Sequence, residues 1–445
     1  MLPFVKRVAT SGQQNSLRVW PSRAVQFAGP DAPMTAVELL GLINAALLLQ
    51  LTLGIGWTFW RRRSGAGAAA PVAARATAAR SDAAWPGWRE FRVVQRVYED
   101  AAQSQCSFRL QPVDGDPLPP FRPGQFLTFA LDVAVRTPGS AATTRSITRC
   151  YSLSDRPDRT HYRVTVKRVP APADHPEFAP GLSSNHFHDH VQVGDVLRVK
   201  APAGHFFIDP DPNVPVVLVA GGIGITPMMS MLRWCIAEQP QRKVRLYYGL
   251  RNSREHAFKQ QLEEMAASHP AMQLDVVYSR PVESDALGRD YQHRGHVDVD
   301  LLRRTLPHGR HQFYVCGPPA MMQTLVPALV EWGVPVADLH YEAFGPASIK
   351  LPGAAEVGAP VGVEVRFRRS GRTIAWDGSD ASLLDFAERH GIDVESGCRS
   401  GGCGSCETRL LEGTVGYEHA PDHDVAPGHC LLCVGRPSSP LVLEA

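Results

Sequence analysis

The segment Cys398-Arg-Ser-Gly-Gly-Cys403-Gly-Ser-Cys406 places three cysteines in C-x4-C-x2-C spacing, and a fourth, Cys433, follows downstream. Three thiols in this spacing with a distant fourth are the plant-type pattern of a [2Fe–2S] cluster, in which four thiolates hold two irons. The glycines and serines of the loop leave room for a cluster and let backbone N–H groups approach its sulfurs. A structural zinc site with four cysteine ligands is the alternative, although zinc usually uses C-x2-4-C pairs. The segment therefore predicts a protein that handles single electrons.

The fourth ligand has two candidates that lie close together. We prefer Cys433 to Cys430 because Cys433 immediately precedes a Val-Gly-Arg-Pro segment. The predicted metal ligands are thus Cys398, Cys403, Cys406 and Cys433. The remaining cysteines are scattered singly along the chain, which indicates a reducing compartment rather than a disulfide framework.

Length and composition limit the possible classes of protein. The chain has 445 residues, enough for about three domains. A hydrophobic fraction of 44% supports several cores, and a net charge of +2 gives no reason to expect a nucleic-acid partner.

Residues 39–60 form an apolar run of 22 residues without a charge. As a helix this run would span roughly 33 Å, enough to cross the core of a lipid bilayer. Trp57 and Trp60 stand where an interfacial aromatic belt belongs, and three arginines follow directly. We therefore predict a single transmembrane helix with its basic flank in residues 36–63. A buried core helix, or a signal peptide cleaved within residues 67–76, are the alternatives.

The basic flank predicts an orientation for the rest of the chain. The arginines after the apolar run predict that the catalytic domains lie in the cytoplasm. The protein would then be a single-pass protein of a bacterial-type inner membrane. Residues 1–35 are an uncertain N-terminal extension, because Met34 offers an alternative start of translation. Residues 64–87 are rich in Ala, Gly and Arg and are expected to form a linker.

Two folded regions with different patterns follow. Residues 88–212 contain short β-rich runs broken by Pro and Gly, which is typical of an antiparallel β-barrel. In residues 213–346, apolar strands alternate with helical segments, which predicts an α/β domain with a parallel sheet. Its first strand leads into a glycine-rich turn and a helix, an arrangement that can cradle a dinucleotide pyrophosphate. The positions of this cradle are Gly221, Gly222, Gly224, Thr226 and Pro227.

Three further motifs carry a family resemblance. Arg149-Cys-Tyr-Ser152, Gly181-Leu-Ser-Ser184 and Cys316-Gly-Pro-Pro occur in that order. Together they resemble the ferredoxin–NADP reductase superfamily, including the flavin domains of flavohaemoglobins. The resemblance favours FAD as the flavin, with FMN as the alternative. It implies Arg149 on the pyrophosphate of FAD, Tyr151 against the isoalloxazine and Ser152 near the reactive N5.

The same resemblance implies further site residues. Ser152, Cys316, Glu342 and Phe344 are expected at the site of hydride transfer. Ser279 and Arg280 stand where relatives that use NADPH hold its extra phosphate, but the choice between NADH and NADPH stays open. The remaining implied contacts to FAD or nicotinamide are Val166, Gly181, Ser183, Ser184, Gly317 and Pro318.

The C-terminal region completes the fold class. Residues 347–360 are predicted to form a linker, and a strand pair is predicted to begin at residue 361. Ser382-Leu-Leu-Asp385 is a capping-box start for a helix that ends at Gly391. With the cysteine loop, residues 361–445 resemble a β-grasp ferredoxin domain. The prediction is a multidomain protein that resembles the superfamily over residues 88–445.

The order of domains predicts an electron path. The chain resembles oxygenase reductases with a C-terminal ferredoxin, which implies a membrane-anchored NAD(P)H:acceptor oxidoreductase. Electrons would pass from NADH or NADPH through FAD to the cluster, and then to a separate protein such as an oxygenase, a hydroxylase, a cytochrome or a desaturase. An electron-input subunit of a membrane respiratory complex, and a redox sensor, are the alternatives.

Overall fold

The computed structural model describes residues 85–135, 143–171, 180–344, 361–399, 401–417, 421 and 423–445. Structural statements refer to these ranges. Within them, no helix is both long and apolar enough to cross a membrane. The predicted transmembrane helix and the linker at 347–360 lie outside the described residues.

The elements of the first domain are six strands and one helix. They are β1 (Arg89–Tyr98), β2 (Gln105–Pro112), β3 (Phe126–Val135), β4 (Thr143–Ser152), β5 (Tyr162–Lys167), α1 (Leu182–Asp189) and β6 (Val196–Ala203).

The six strands form the predicted antiparallel barrel. Their order is β4-β3-β6-β1-β2-β5, with every pair antiparallel. An isolated bridge between Leu153 and Val164 brings the two outer strands together. Helix α1 packs on the barrel through the fully buried Phe187, whose ring lies 5.4 Å from that of Phe129 and 5.0 Å from that of Tyr151. This packing fixes the start of α1 beside the end of β4.

The barrel includes a residue that precedes its predicted boundary at 88. Trp85 packs its ring 5.6 Å from Phe91, and its Nε1 donates to the Val199 carbonyl at 3.2 Å. The core of the barrel therefore includes a residue of the predicted linker.

The second domain is an α/β unit. Its elements are β7 (Val216–Gly221), α2 (Ile225–Glu238), β8 (Val244–Leu250), α3 (Lys259–Ser268), β9 (Met272–Tyr278), β10 (His293–Arg294), α4 (Val299–Thr305), β11 (Gln312–Gly317), α5 (Pro319–Glu331) and β12 (Leu339–Ala343).

The sheet of this domain is parallel throughout, as predicted. Its order is β10-β9-β8-β7-β11-β12, and every residue of β7 and β11 is buried. The chain runs outward from β7 to β10 and then returns to place β11 on the other side of β7. Ligands of open parallel sheets bind at such a topological switch point, beyond the carboxyl ends of the strands. The glycine-rich turn after β7 and the Cys-Gly-Pro segment at the end of β11 meet there.

The third domain carries the cysteine loop. Its elements are β13 (Val363–Phe367), β14 (Arg372–Trp376), α6 (Leu383–Arg389), β15 (Glu407–Glu412), β16 (Val415–Tyr417), β17 (His429–Leu431), β18 (Gly435–Pro437) and β19 (Leu441–Leu443).

A five-stranded mixed sheet, β14-β13-β19-β15-β17, packs against α6. Phe386 of this helix lies 5.0 Å from the ring of Trp376. The predicted capping box is confirmed, since the Ser382 hydroxyl accepts from the Asp385 N–H at 3.2 Å. Gly391 follows the helix at a φ of 68°, the left-handed conformation that glycine adopts at low cost.

Candidate active site between three domains

A cavity of about 420 Å³ lies where the barrel, the α/β domain and the cysteine loop meet. Ligand pockets of proteins have volumes of this order. The barrel contributes residues 149–152 and the start of α1, the α/β domain contributes Thr226 and Glu342, and the cysteine loop contributes residues 397–399. One cavity thus touches all three predicted cofactor regions.

The end of β4 and the start of α1 form one wall of the cavity. The Tyr151 hydroxyl and the Ser183 hydroxyl lie 2.7 Å apart, and the Ser184 hydroxyl donates to the Gly181 carbonyl at 3.3 Å. Burial raises the pKa of Tyr151 to about 12, and the bond to Ser183 offsets only part of that effect. Tyr151 is therefore neutral, with an aromatic ring suited to an apolar face of a ligand.

Gly181 permits the tight entry into α1. A Cβ at this position would lie 2.7 Å from the Ser184 hydroxyl and 2.8 Å from the Val169 side chain. The absence of a side chain brings the first N–H groups of α1 to the cavity. Such groups carry partial positive charge and favour anions.

Three basic side chains line the cavity. Arg149, Lys167 and Arg399 all border the cavity. Burial, and then the positive charge of Arg399, lower the pKa of the Arg149 guanidinium. An anion in the cavity would compensate Arg149 for the cost of burying its charge and for the repulsion by Arg399. A phosphate group can do this because it pairs with guanidinium through charge-assisted hydrogen bonds.

Three of the predicted hydride-transfer residues line the cavity where the end of β4 meets β12. Ser152 donates to the Glu342 carboxylate at 3.4 Å, which links the end of the barrel strand β4 to β12 of the α/β domain. Phe344 also lines the cavity and is 38% exposed. The structure thus brings together three of the four residues that were expected at this step.

The glycine-rich turn packs directly on the end of β11. A Cβ on Gly224 would overlap the backbone carbonyl of Cys316, and a Cβ on Gly221 would lie 2.6 Å from Pro318. Gly222 adopts a φ of 52°, in the left-handed region. Glycine is therefore required for two separate reasons, close backbone approach and backbone conformation.

Cys316 lies behind this turn rather than in the cavity. Its side chain is fully buried among the apolar residues that pack on α2. Burial raises the pKa of this thiol well above its ordinary value, as does the nearby Glu342 carboxylate. The neutral, buried thiol of Cys316 therefore packs beneath the glycine-rich turn. Its expected role beside the hydride path stays a prediction.

The other expected contacts that do not line the cavity are Val166, Pro227, Ser279, Arg280, Gly317 and Pro318. Val166 is buried in the barrel core. Ser279 follows the carboxyl end of β9, where its hydroxyl donates to the Leu250 carbonyl at 3.2 Å, and the exposed Arg280 comes next. Their assignments to bound nucleotide stay predictions.

Several lining residues were missed by the sequence reasoning. Thr165, Lys167 and Val169 line the cavity from the end of β5 and just beyond it. They alternate along the chain, so the period of two in a strand could have identified them once one was placed. Lys167 also pairs with Glu255 of the α/β domain, with its Nζ 3.1 Å from the carboxylate. This ion pair joins the barrel to the α/β domain beside the cavity.

The cysteine loop brings four thiols together. The Cys398 sulfur is within hydrogen-bonding reach of Cys403 and Cys433, and Cys406 is within reach of Cys433. Within the described ranges, no group of three or more His, Cys, Asp or Glu side chains meets the spacing for a single metal ion. Cys430, the alternative fourth ligand, is buried in β17 opposite Thr408.

Backbone N–H groups point at the sulfurs of the loop. The Gly402 N–H donates to Cys398 at 3.3 Å, the Cys398 N–H to Cys403 at 3.2 Å, and the Cys433 N–H to Cys406 at 3.4 Å. Hydrogen bonds of this kind stabilise sulfurs that carry negative charge. Four convergent thiols with N–H donors fit a [2Fe–2S] cluster, just as the cavity with its cations fits a flavin nucleotide.

Comparison with protein-family models agrees with this geometry. The oxidoreductase FAD-binding domain matches residues 121–208, and the oxidoreductase NAD-binding domain matches residues 218–326. The 2Fe-2S iron-sulfur cluster binding domain matches residues 365–438, which include all four predicted ligands. This chain combines the FAD-binding and NAD-binding domains of an oxidoreductase with an iron–sulfur domain. Its cofactors are FAD, a [2Fe–2S] cluster and NADH or NADPH.

Individual relatives of the oxidoreductase differ in how much of it they share. The flavohemoprotein of Rhizobium meliloti (strain 1021) is 38% identical over 262 residues, which are 59% of this chain and 62% of the relative. The chain thus spans less than two thirds of that relative. A solved phthalate dioxygenase reductase is 27% identical, covering 81% of this chain and 98% of its own, with a TM-score of 0.48. An intact type IV self-sufficient cytochrome P450 monooxygenase is 25% identical, covering 80% of this chain and 41% of its own, with a TM-score of 0.54.

Proposed function

We propose that this oxidoreductase is the membrane-anchored reductase component of a two-protein system. It takes electrons from NADH or NADPH and passes them to a separate acceptor protein, an oxygenase, a hydroxylase, a cytochrome or a desaturase. The observation that carries the proposal is the single cavity shared by the barrel, the α/β domain and the cysteine loop. A route from nicotinamide to cluster needs this junction.

Different residues of the cavity would bind FAD and orient the reacting groups. Bound FAD supplies the exchange between a two-electron hydride donor and a one-electron carrier. Arg149 and the start of α1 would hold its phosphates, and Tyr151 would pack against its ring. Ser152 and Glu342 would keep the reacting faces aligned, and Phe344 would cover them against water until nicotinamide enters.

The acceptor class is supported by one comparison. The match to the self-sufficient cytochrome P450 monooxygenase covers 80% of this chain and 41% of that monooxygenase. Because part of a monooxygenase resembles this chain, we propose an oxygenase as its separate partner.

A titration with reduced nucleotide tests the proposed route. Purified protein loaded with FAD and iron is mixed anaerobically with NADH or with NADPH. We expect rapid bleaching of the flavin, followed by an EPR signal of a reduced [2Fe–2S] cluster and by reduction of added cytochrome c. A flavin that is reduced while the cluster stays oxidised for minutes would contradict the route.

The membrane anchor is proposed from sequence. Residues 39–60 lie outside the described residues, so the support is their length, their lack of charge and the following arginines. We expect full-length protein to stay with inner membranes after washing with high salt and alkaline carbonate, and a variant that begins at Trp85 to be released. Full-length protein in the wash supernatant would defeat the anchor and leave the electron route intact.

A further inference from the structure

Phe126 lies where the barrel meets the cysteine loop. It is the first residue of β3, it is 4% exposed, and it lines the cavity. On the barrel side, Gly204 approaches the ring so closely that a Cβ on this glycine would lie 2.7 Å from it. The barrel therefore holds the aromatic ring in place beside the cavity.

The cysteine loop contacts the same ring through Gly402. A Cβ on Gly402 would lie 3.6 Å from the Phe126 ring, so the backbone of the loop lies against it. The Gly402 N–H donates to the Cys398 sulfur at 3.3 Å, and Cys398 lines the cavity. The backbone that touches the aromatic ring thus also holds a predicted cluster ligand beside the cavity.

The conformation of the loop does not explain why residue 402 is a glycine. Gly401 and Gly404 have φ angles of 79° and 69°, in the left-handed region, whereas Gly402 lies outside that region. Backbone conformation therefore accounts for Gly401 and Gly404 but not for Gly402. The contact with Phe126 gives a separate reason for a small residue at this position.

Two polar contacts accompany this apolar one. The Arg149 guanidinium donates to the Ser396 carbonyl at 3.4 Å, which is long for a hydrogen bond. Arg145 lies 3.1 Å from Asp393, but their side chains are 61% and 88% exposed, and such ion pairs contribute little. Van der Waals contact at the buried Phe126 ring is therefore best suited to fix the distance between the loop and the barrel.

We propose that Phe126 is a positioning residue that seats the ferredoxin domain, residues 361–445, on the barrel and thereby sets the distance from FAD to the cluster. In the step concerned, reduced FAD loses one electron and the oxidised cluster gains it, and no bond to the protein forms or breaks. Electron transfer slows steeply as the distance between donor and acceptor grows. The proposal rests on the proposed route from FAD to the cluster.

Three variants test the seat formed by the ring. Phe126→Leu removes the ring and keeps a buried apolar side chain. Phe121→Leu is the matched control, because Phe121 is also a buried barrel phenylalanine and packs its ring 5.5 Å from that of Tyr162. Gly402→Ala, combined with Phe126→Leu, directs a methyl group toward the space that the ring has left. FAD and iron contents establish that each protein is loaded.

Stopped-flow mixing with NADH or NADPH gives the rates of flavin reduction and of cluster reduction separately. We expect Phe126→Leu to slow cluster reduction by about tenfold or more and flavin reduction by less, because misplacing reacting groups by about 1 Å can cost up to about a hundredfold. Gly402→Ala should restore part of the loss in the double variant, since the two residues are in contact. Phe121→Leu should keep both wild-type rates.

Hydrogen–deuterium exchange measures the docking without turnover. Peptides that contain Ser396 or Gly402 should exchange faster in Phe126→Leu than in wild type or Phe121→Leu, because local opening becomes easier. Equal losses in flavin and cluster reduction, no loss in either, or unchanged exchange in these peptides would overturn the proposal. If reduced FAD of the wild type does not reduce the cluster, the proposed route fails instead, and the exchange data still test the seat.

Discussion

Gly224 shows how a single residue sets the geometry of the glycine-rich turn in the α/β domain. The turn after β7 approaches β11 so closely that a Cβ at this position would overlap the carbonyl of Cys316. The neighbour is backbone, so it cannot rotate away as a side chain could. Any side chain here must push the turn and the N-terminus of α2 out of place.

Gly224→Ala should therefore impair nucleotide use more than it impairs folding. We expect a rise of about tenfold or more in KM for NADH or NADPH, with destabilisation of about 1–3 kcal/mol from overpacking. Steady-state ferricyanide reduction and urea unfolding give the two quantities. Gly115→Ala is the control, because that glycine has a φ of 78° in open space and should cost stability without changing KM. An unchanged KM in Gly224→Ala would contradict the assignment of the turn.

At this scale, sequence reasoning succeeded where chemistry is carried by short motifs. Tyr151, Ser183 and Thr226 were all predicted as site residues, and the structure places all three along one cavity. Arg399 was missed because no local pattern distinguishes a cavity-lining cation from an exposed one. Lys167 was missed because strand alternation identifies it only once a neighbouring residue has been placed. Only the tertiary structure places both residues beside Arg149.

Asp155 joins elements of two domains just beyond β4. Its carboxylate lies 2.7 Å from Arg233 on α2 and 3.6 Å from the buried Arg163 on β5. The Arg163 guanidinium in turn lies 5.2 Å from the ring of Phe258, just before α3. Burial alone would raise the pKa of Asp155, but the two guanidiniums outweigh burial and lower the pKa. The buried carboxylate thus holds the barrel against the α/β domain.

Removing that charge should destabilise the contact. Asp155→Asn leaves Arg163 buried without its partner, and breaking such a pair costs about 3–5 kcal/mol. Because the folded pKa is lowered, the contribution of Asp155 is complete above the pKa of an unfolded aspartate, about 4, and is lost as the pH falls toward the folded value. Urea unfolding should show a large deficit in the variant at pH 7 and a smaller one in acid.

The control for this prediction is an exposed ion pair on the same barrel. Asp132 and Arg198 are 3.5 Å apart, with side chains 58% and 47% exposed. Asp132→Asn should therefore cost less than about 1 kcal/mol. Equal losses for the Asp155 and Asp132 variants at pH 7 would refute the proposed importance of the buried pair.

Elements were predicted better than the contacts between them. The apolar strand β7 and the Ser382 capping box follow from local residue patterns, and the structure confirms both. The contact between Asp155 and Arg233 joins positions 78 residues apart, and no periodicity links them. Such pairs depend on how whole domains pack, which local propensity does not determine.

Across the whole molecule, the order of domains and the junction between them support one account. The predicted barrel, parallel sheet and ferredoxin-like domain are present, and a single cavity borders all three. The sequence could indicate that these modules occur together, since each has its own motif. It could not indicate that the cysteine loop would dock on β4, because that contact depends on the shapes of two finished surfaces.

The central claim is that electrons leave the protein through the [2Fe–2S] cluster, whose four predicted cysteine ligands include Cys403. The most direct measurement is stopped-flow mixing of NADH or NADPH with Cys403→Ser, wild type and the control Cys430→Ala, while flavin absorbance and cytochrome c reduction are followed together. We predict that the flavin of Cys403→Ser is reduced at the wild-type rate while its cytochrome c reduction is lost, and that Cys430→Ala retains both. Cytochrome c reduction at the wild-type rate in Cys403→Ser would contradict the account.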